Sequence, residues 1–295
     1  MCGSFFLDYN TYKQMIFQCL LYSLLVAFSL GANAQSELTL KNNMMFTDVT
    51  ISHNGTSHKA QTLIDTGASV CIIDSTYAVD SCNIVLPKRN AAIESASGKT
   101  IDSFSFDLDS ISLCGTHYDK IRCYVVDLVG KLKHYAPKFI LGGDILKRNL
   151  WCFDLKDKKI TKLENPELKN IQSTIKWKNH DDYKDAFLNS IYFDGKIVGK
   201  KVRILFDSGS RRNFIPQKFK ISPTKIIDME QADIAQTMNI QKTEVCENVN
   251  MVISNNCYTL DFVLSDDKYP TINSEFLLNK TFALDYKNKC IYIWE

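Results

Sequence analysis

The chain has 295 residues, 45% of them hydrophobic and 23% charged, with 35 Lys plus Arg against 33 Asp plus Glu and a formal net charge of +2. That balance gives a globular protein with enough apolar material for a core and excludes disorder, collagen and coiled coil. It offers neither a basic stripe for nucleic acid nor an acidic tail, and the five scattered His show no metal-ligand spacing, so no metal or cofactor is expected.

Residues 15–30, MIFQCLLYSLLVAFSL, follow Lys13 and precede Ala32-Asn33-Ala34. A short apolar run closing on A-x-A reads as a secretory signal peptide, residues 1–34, cleaved after Ala34. The run is short for a membrane span, which needs about 20 residues, and no second stretch reaches that length. The expected mature protein is therefore exported, periplasmic or extracellular, with no stable membrane span. It keeps eight Cys. An even count in an exported chain is compatible with disulfides or with buried thiols. Cys114 and Cys123, on either side of the turn at Gly115, are the one pair the sequence suggests.

The remainder reads as short alternating strands. Val49 and Ile51 alternate with polar residues up to a hairpin turn at Asn54-Gly55, and Gln61 to Ile64 return as a second strand. Strands follow around Phe104-Phe106-Leu108, Ile111-Leu113, Ile121-Cys123-Val125 and Phe139-Ile140-Leu141, and a short helix is expected over Ile145 to Leu150. Residues 156–185 are rich in Lys, Asp, Asn and Glu, and residues 166–184 read as a linker. Beyond it the opening pattern returns over residues 188–206, with a turn expected at Asp194-Gly195. A hairpin turns near Asn255-Asn256, and the last strand is Cys290 to Trp294.

This is a duplication with a period of roughly 130 to 140 residues, suited to two similar lobes: residues 35–165 and 185–295. Leu63-Ile64-Asp65-Thr66-Gly67-Ala68 lies over Leu205-Phe206-Asp207-Ser208-Gly209-Ser210, and Trp151 to Leu155 lies over Phe282 to Tyr286. One Asp-Thr/Ser-Gly is an ordinary polar turn. Two copies, each between an apolar strand end and a short apolar segment, point to a pair of carboxylates.

The chain here resembles the aspartic peptidases, in their two-lobed pepsin-like and half-sized retropepsin-like forms. Asp65-Thr66-Gly67-Ala68-Ser69 is similar to the retropepsin form of the active-site loop. Phe139-Ile140-Leu141-Gly142-Gly143-Asp144 resembles the motif that braces it, and Ser95-Ala96-Ser97-Gly98-Lys99 lies where the family has its flap. In the second half, Leu141-Gly142 becomes Ile272-Asn273. The expected accommodation is left-handed backbone at Asn273.

The resemblance implies an all-β fold of two closed barrel-like lobes with short helices and the active site between them. It implies an aspartic endopeptidase acting on extended polypeptides, with Asp65 and Asp207 catalytic and Leu141 and Gly142 bracing. Thr66 and Ser208 would hydrogen-bond across the lobes, and Gly67 and Gly209 would let backbone approach the carboxyls. Because the chain supplies both aspartates, a monomer is expected, with residues 159–163 and 290–294 in a sheet joining the lobes. The alternative is a peptide-binding module with weakened catalysis, suggested by Asn273 and by the basic Arg211-Arg212. In the resembling families a Ser after the glycine reaches its own aspartate. Ser210, with only Ala68 as its counterpart, therefore predicts that Asp207 ionises first.

Overall fold

The structure is a computed structural model that describes residues 34–88, 91–95, 98–166 and 169–294. The predicted signal segment up to residue 33, and Ala96 and Ser97 of the flap, lie outside the described residues. From Gln35 on, the chain forms one compact unit.

After a short strand β1 (Gln35–Glu37), the first lobe runs through β2 (Thr39–Lys41), β3 (Met44–His53), β4 (Thr56–Ile64), β5 (Cys71–Asp74), β6 (Ala91–Glu94), β7 (Thr100–Leu113), β8 (Thr116–Val126), helix α1 (Leu128–Leu132), β9 (Phe139–Leu141) and helix α2 (Gly143–Leu146). The strand order is β2-β3-β4-β9-β5-β8-β7-β6, and β3 also pairs with β7, which closes the sheet into a barrel. Alternation puts Val49 and Ile51 inside and Asp48 and Thr50 outside, as the period of two requires. The β3–β4 turn sits at Asn54-Gly55, both at positive φ.

The chain then makes β10 (Leu150–Asp154), β11 (Lys159–Leu163) and β12 (Ser173–Lys176). The second lobe follows as β13 (Ile191–Ile197), β14 (Lys200–Phe206), β15 (Asn213–Pro216), β16 (Lys225–Asp233), β17 (Gln236–Ile253), β18 (Asn256–Ser265) and β19 (Thr271–Ile272), then β20 (Thr281–Asp285) and β21 (Cys290–Trp294). Its order, β13-β14-β19-β15-β18-β17-β16 with β13 also on β17, repeats that of the first lobe from β3 onward. A third sheet, β1-β11-β10-β20-β21-β12, joins the halves, with Cys152 opposite Ala283 and Phe153 opposite Phe282. The rings of Phe153 and Phe282 stack at 4.9 Å. One hydrophobic core runs from Val49 and Leu141 through Trp151 and Phe282 to Phe206 and Phe262.

Four expectations change here. The helix expected over Ile145 to Leu150 is α2, Gly143–Leu146, and Leu150 opens β10. The turn expected at Asp194-Gly195 falls instead at Val198-Gly199, both at positive φ. Gly195 lies inside β13, where the strand pairs with both β14 and β17, and a Cβ there would come within 2.6 Å of Val252 O. Its glycine serves close strand approach, not a turn. The stretch read as a linker contributes β12, paired with β21 from Ser173 opposite Ile293 to Lys176 opposite Cys290. The Cys114–Cys123 pairing does not form, and all eight cysteines among the described residues are free. Cys114 sits in the β7–β8 turn, whereas Cys123 lies opposite Phe106, far down the ladder. At about 3.3 Å of rise per residue the two are far beyond bridging distance.

Among the described residues no helix is long and apolar enough to cross a membrane, and no group of three or more His, Cys, Asp and Glu is placed to hold a metal ion.

Candidate active site

Each aspartate leaves its strand at the same structural point. Strand β4 ends at Ile64 beside Leu141 of β9, and β14 ends at Phe206 beside Ile272 of β19. The next amide continues each ladder: Asp65 N donates to Leu141 O at 3.1 Å and Asp207 N to Ile272 O at 2.9 Å. The following residues interlock. Thr66 Oγ1 donates to Phe206 O at 2.9 Å and accepts from Ser208 N at 3.0 Å. Ser208 Oγ donates to Ile64 O at 2.7 Å and accepts from Thr66 N at 3.0 Å. Both side chains are buried, and four bonds between residues about 140 apart in sequence fix one loop against the other.

The glycines decide how close the loops come. A Cβ on Gly67 would lie 2.6 Å from Asp207 Cγ, and one on Gly209 would lie 2.5 Å from Asp65 Cγ. Neither glycine is needed for positive φ. Each is needed because the opposite carboxyl occupies the place of its side chain. Each carboxyl is thereby seated against the loop of the other aspartate.

Burial raises both carboxyl pKa values, since taking either charge out of water is costly. The partners differ in what surrounds them. Asp65 Oδ1 accepts from Gly67 N at 2.8 Å and Ala68 N at 2.9 Å, and the hydrogen bond from Asp207 also favours its charged form. Asp207 accepts from Gly209 N at 2.9 Å, and the Ser210 amide also favours its charged form. After burial, the Asp65 charge and the bond donated to it push Asp207 well above the usual carboxylate range. The hydroxyl bond expected to lower Asp207 is absent: Ser210 Oγ donates to Arg212 O at 2.8 Å, away from the aspartate.

The bracing motif is tight by volume. A Cβ on Gly142 would lie 2.4 Å from Val70 O, while its backbone is ordinary extended chain. Asn273, its counterpart, is also extended, at φ −94°, so the expected left-handed backbone is absent. It keeps the turn through hydrogen bonds instead. Its Oδ1 accepts from Glu275 N at 3.0 Å, and its amide donates to Asn213 Oδ1 at 2.9 Å. Asn213 Nδ2 in turn donates to Glu275 Oε2 at 2.9 Å. The first lobe has a related pair: Cys71 N and Sγ donate to Asp144 at 3.4 and 3.3 Å. Sequence reasoning missed these pairs, although Asp144 and Glu275 stand at matching positions after Gly142 and Asn273.

Two further features escaped the sequence reading. The hairpin of β16 and β17 carries Ile234 into an apolar cluster of the first lobe that includes Ala68, Val70, Ile93 and Ile101. Glu230 on that hairpin accepts from Tyr135 OH at 2.7 Å and lies 3.5 Å from His134. Arg211 donates to Glu230 O at 2.5 Å and stacks 3.8 Å over the Tyr135 ring. The basic residue after the second loop is thus engaged in a strap from the second lobe to the first. The second feature is the stretch Leu188–Ser190, which hydrogen-bonds the back of the Asp65 loop.

Two barrel-like lobes, each giving one aspartate to a shared buried pair, define the class. Residues 49–148 match the family model described as "gag-polyprotein putative aspartyl protease". That match covers the first lobe from β3 to α2 and fits an aspartic peptidase whose first lobe is retropepsin-like. The match supports protease function at the level of that family. No curated protein matches the chain.

Proposed function

We propose that the protein is an exported aspartic endopeptidase, active as one chain, that hydrolyses peptide bonds of extended polypeptides with a water held between Asp65 and Asp207. The observation that carries this reading is the interlocked pair of loops: Thr66 and Ser208 bond across the lobes, and each aspartate's carboxyl fills the place of the opposite glycine's side chain. Like charges this close leave one proton between them, the known behaviour of aspartic-protease pairs. Charged Asp65 takes a proton from the water as it attacks the scissile carbonyl. Protonated Asp207 donates to the carbonyl oxygen. The proton count balances, and the pair is ready to exchange roles as the intermediate breaks down.

Both aspartates come from this chain, so the site needs no second copy. Thr66, Gly67, Ala68, Ser208, Gly209 and Ser210 form the supporting loops, with Leu141 and Gly142 bracing the first. The lobes correspond to residues 35–165 and 185–295. The test is cleavage of an unfolded protein across pH by the purified protein, with and without pepstatin. Pepstatin-sensitive cleavage that is lost in Asp65→Asn is expected. Absence of cleavage at every pH refutes the reading.

A further inference from the structure

The first loop is held from behind as well as from the front. Its front is the pair of amides, Gly67 and Ala68, on Asp65 Oδ1. At its back, the carbonyls of Gly67, Ala68 and Ser69 each meet a donor. Ser190 Oγ reaches Gly67 O at 3.4 Å, Gly143 N reaches Ala68 O at 2.8 Å, and Asn189 Nδ2 reaches Ser69 O at 3.0 Å. Ser69 Oγ returns a bond to Leu188 O at 2.5 Å. Two of the three donors to the carbonyls thus come from the stretch that leads into β13 of the second lobe.

Asn189 is fitted to this place. Its φ is +61°, a region that Asn tolerates better than most residues. It is 5% exposed, and a Cβ on Gly143 would lie 2.6 Å from Asn189 Cβ, so the missing side chain at Gly143 is what admits it. Its Oδ1 accepts from Lys147 Nζ at 3.1 Å, which fixes the amide so that Nδ2 faces Ser69 O. Its own N–H donates to His180 Nδ1 at 3.4 Å. Ser190 is fully buried. The carbonyl it holds, on Gly67, belongs to the same rigid peptide plane as the Ala68 N–H that faces Asp65. A partner on that oxygen therefore resists rotation of that amide. The second loop has a different arrangement, with Ser210 N returning to Asp207 O at 3.2 Å.

We infer that Asn189 and Ser190 are positioning residues for the peptidase reaction: from the second lobe they grip the carbonyl side of the Gly67–Ser69 loop and hold its amides on Asp65. The inference rests on the proposed peptidase reading. The titratable groups facing Asp65 are Asp207 and Tyr286, a buried tyrosine pushed upward by burial and by the charges of Asp65 and Asp144. Those facing Asn189 are Lys147 and His180. All remain in the variants below, so a moved titration reads the loop.

The experiment compares the full protein with Ser190→Ala and Asn189→Gly. The glycine keeps the left-handed backbone available and removes only the amide side chain. Expected in each is a fall in kcat of about ten-fold with KM little changed, because the loss is in orientation at the reacting centre. The acid limb of the pH profile moves to higher pH, since weaker amide bonds make the first ionisation harder. An unchanged kcat, or a fall in kcat with an unmoved limb, overturns the inference. If Asn189→Gly fails to fold, Ser190→Ala, which deletes one oxygen, decides. Titration of carboxyl-labelled aspartates by NMR, assigned with Asp65→Asn, reads the same change without substrate. The Asp65 titration should lie at higher pH in the variants. Variants that titrate like the unmodified protein overturn the positioning role. Absence of cleavage by the unmodified protein instead sinks the proposed function and leaves this titration as the judge.

Discussion

Replacing Gly67 with Ala inserts one methyl group into the place of a carboxyl. The new Cβ would stand 2.6 Å from Asp207 Cγ and 2.7 Å from its Oδ1. Two carbons rest at about 3.5 Å or more, so one partner has to retreat by about 0.9 Å. The Gly67 loop cannot easily do so, since Thr66 is locked to Ser208 and Phe206 and the Gly67 and Ala68 amides are on Asp65. The Asp207 carboxyl is the softer element, and it moves away from Asp65. A misplacement of about 1 Å at a reacting centre costs about 100-fold in rate. The fold loses less, about 1–3 kcal/mol for one overpacked methyl. The assay is kcat/KM on a peptide substrate beside thermal unfolding of the same preparation. Gly67→Ala should unfold cooperatively a few degrees below the unmodified protein and retain about 1% of its activity. Activity within about three-fold of the unmodified protein would refute the claim that this glycine sets the carboxyl spacing.

Asp65→Asn and Asp207→Asn should each abolish cleavage while circular dichroism stays unchanged, because half of a pair that works as a unit is lost; cleavage retained in either would show that carboxyl to be dispensable. Thr66→Val leaves the Ser208 amide and the Phe206 carbonyl unpaired in a buried site, at about 2–4 kcal/mol by denaturant unfolding; Thr66→Ser, which keeps the hydroxyl, should recover most of that loss. The pair also leaves a mark on stability. Both carboxyls are raised in the folded state, so the native protein binds more protons than the unfolded chain above about pH 4. Its contribution is fully present below the unfolded value and is lost as pH rises through the folded one. The melting temperature should therefore fall over that window, and Asp207→Asn should flatten the fall; a curve of unchanged slope in the variant would contradict the burial assigned to Asp207.

What the sequence disclosed was what repeats. Asp65 and Asp207, the apolar strand ends before them and the strands at 150–163 and 281–294 stand in matching order, and matching order is what two lobes around a pseudo-two-fold axis require. Residues whose role depends on one lobe touching the other at a single place left no such trace. Asn189 lies in a polar stretch and has no partner in a pattern search, yet it contacts Ser69, 120 positions away. Ser210 misled because resemblance assigns a hydroxyl a partner by family habit, whereas Arg212 O lay within reach locally. Asp194-Gly195 misled because a glycine admits two uses, a positive φ or a close neighbour, and only the crossing strand β17 distinguishes them.

A polypeptide substrate has a direction, and a site with a true two-fold axis does not. Two identical halves would offer the same wall to the amino-terminal and carboxyl-terminal sides of the cut. Here the halves differ where it matters. One loop is held from behind by Asn189 and Ser190, one bracing turn is Gly142 and the other Asn273, and the strap that carries Ile234 comes from the second lobe. On the proposed reaction, a peptide laid across the pair one way round puts its scissile carbonyl toward the acid, and turned about it does not. On the same proposed reaction, the broken symmetry that made the second half hard to recognise would also let the site read a chain from one end.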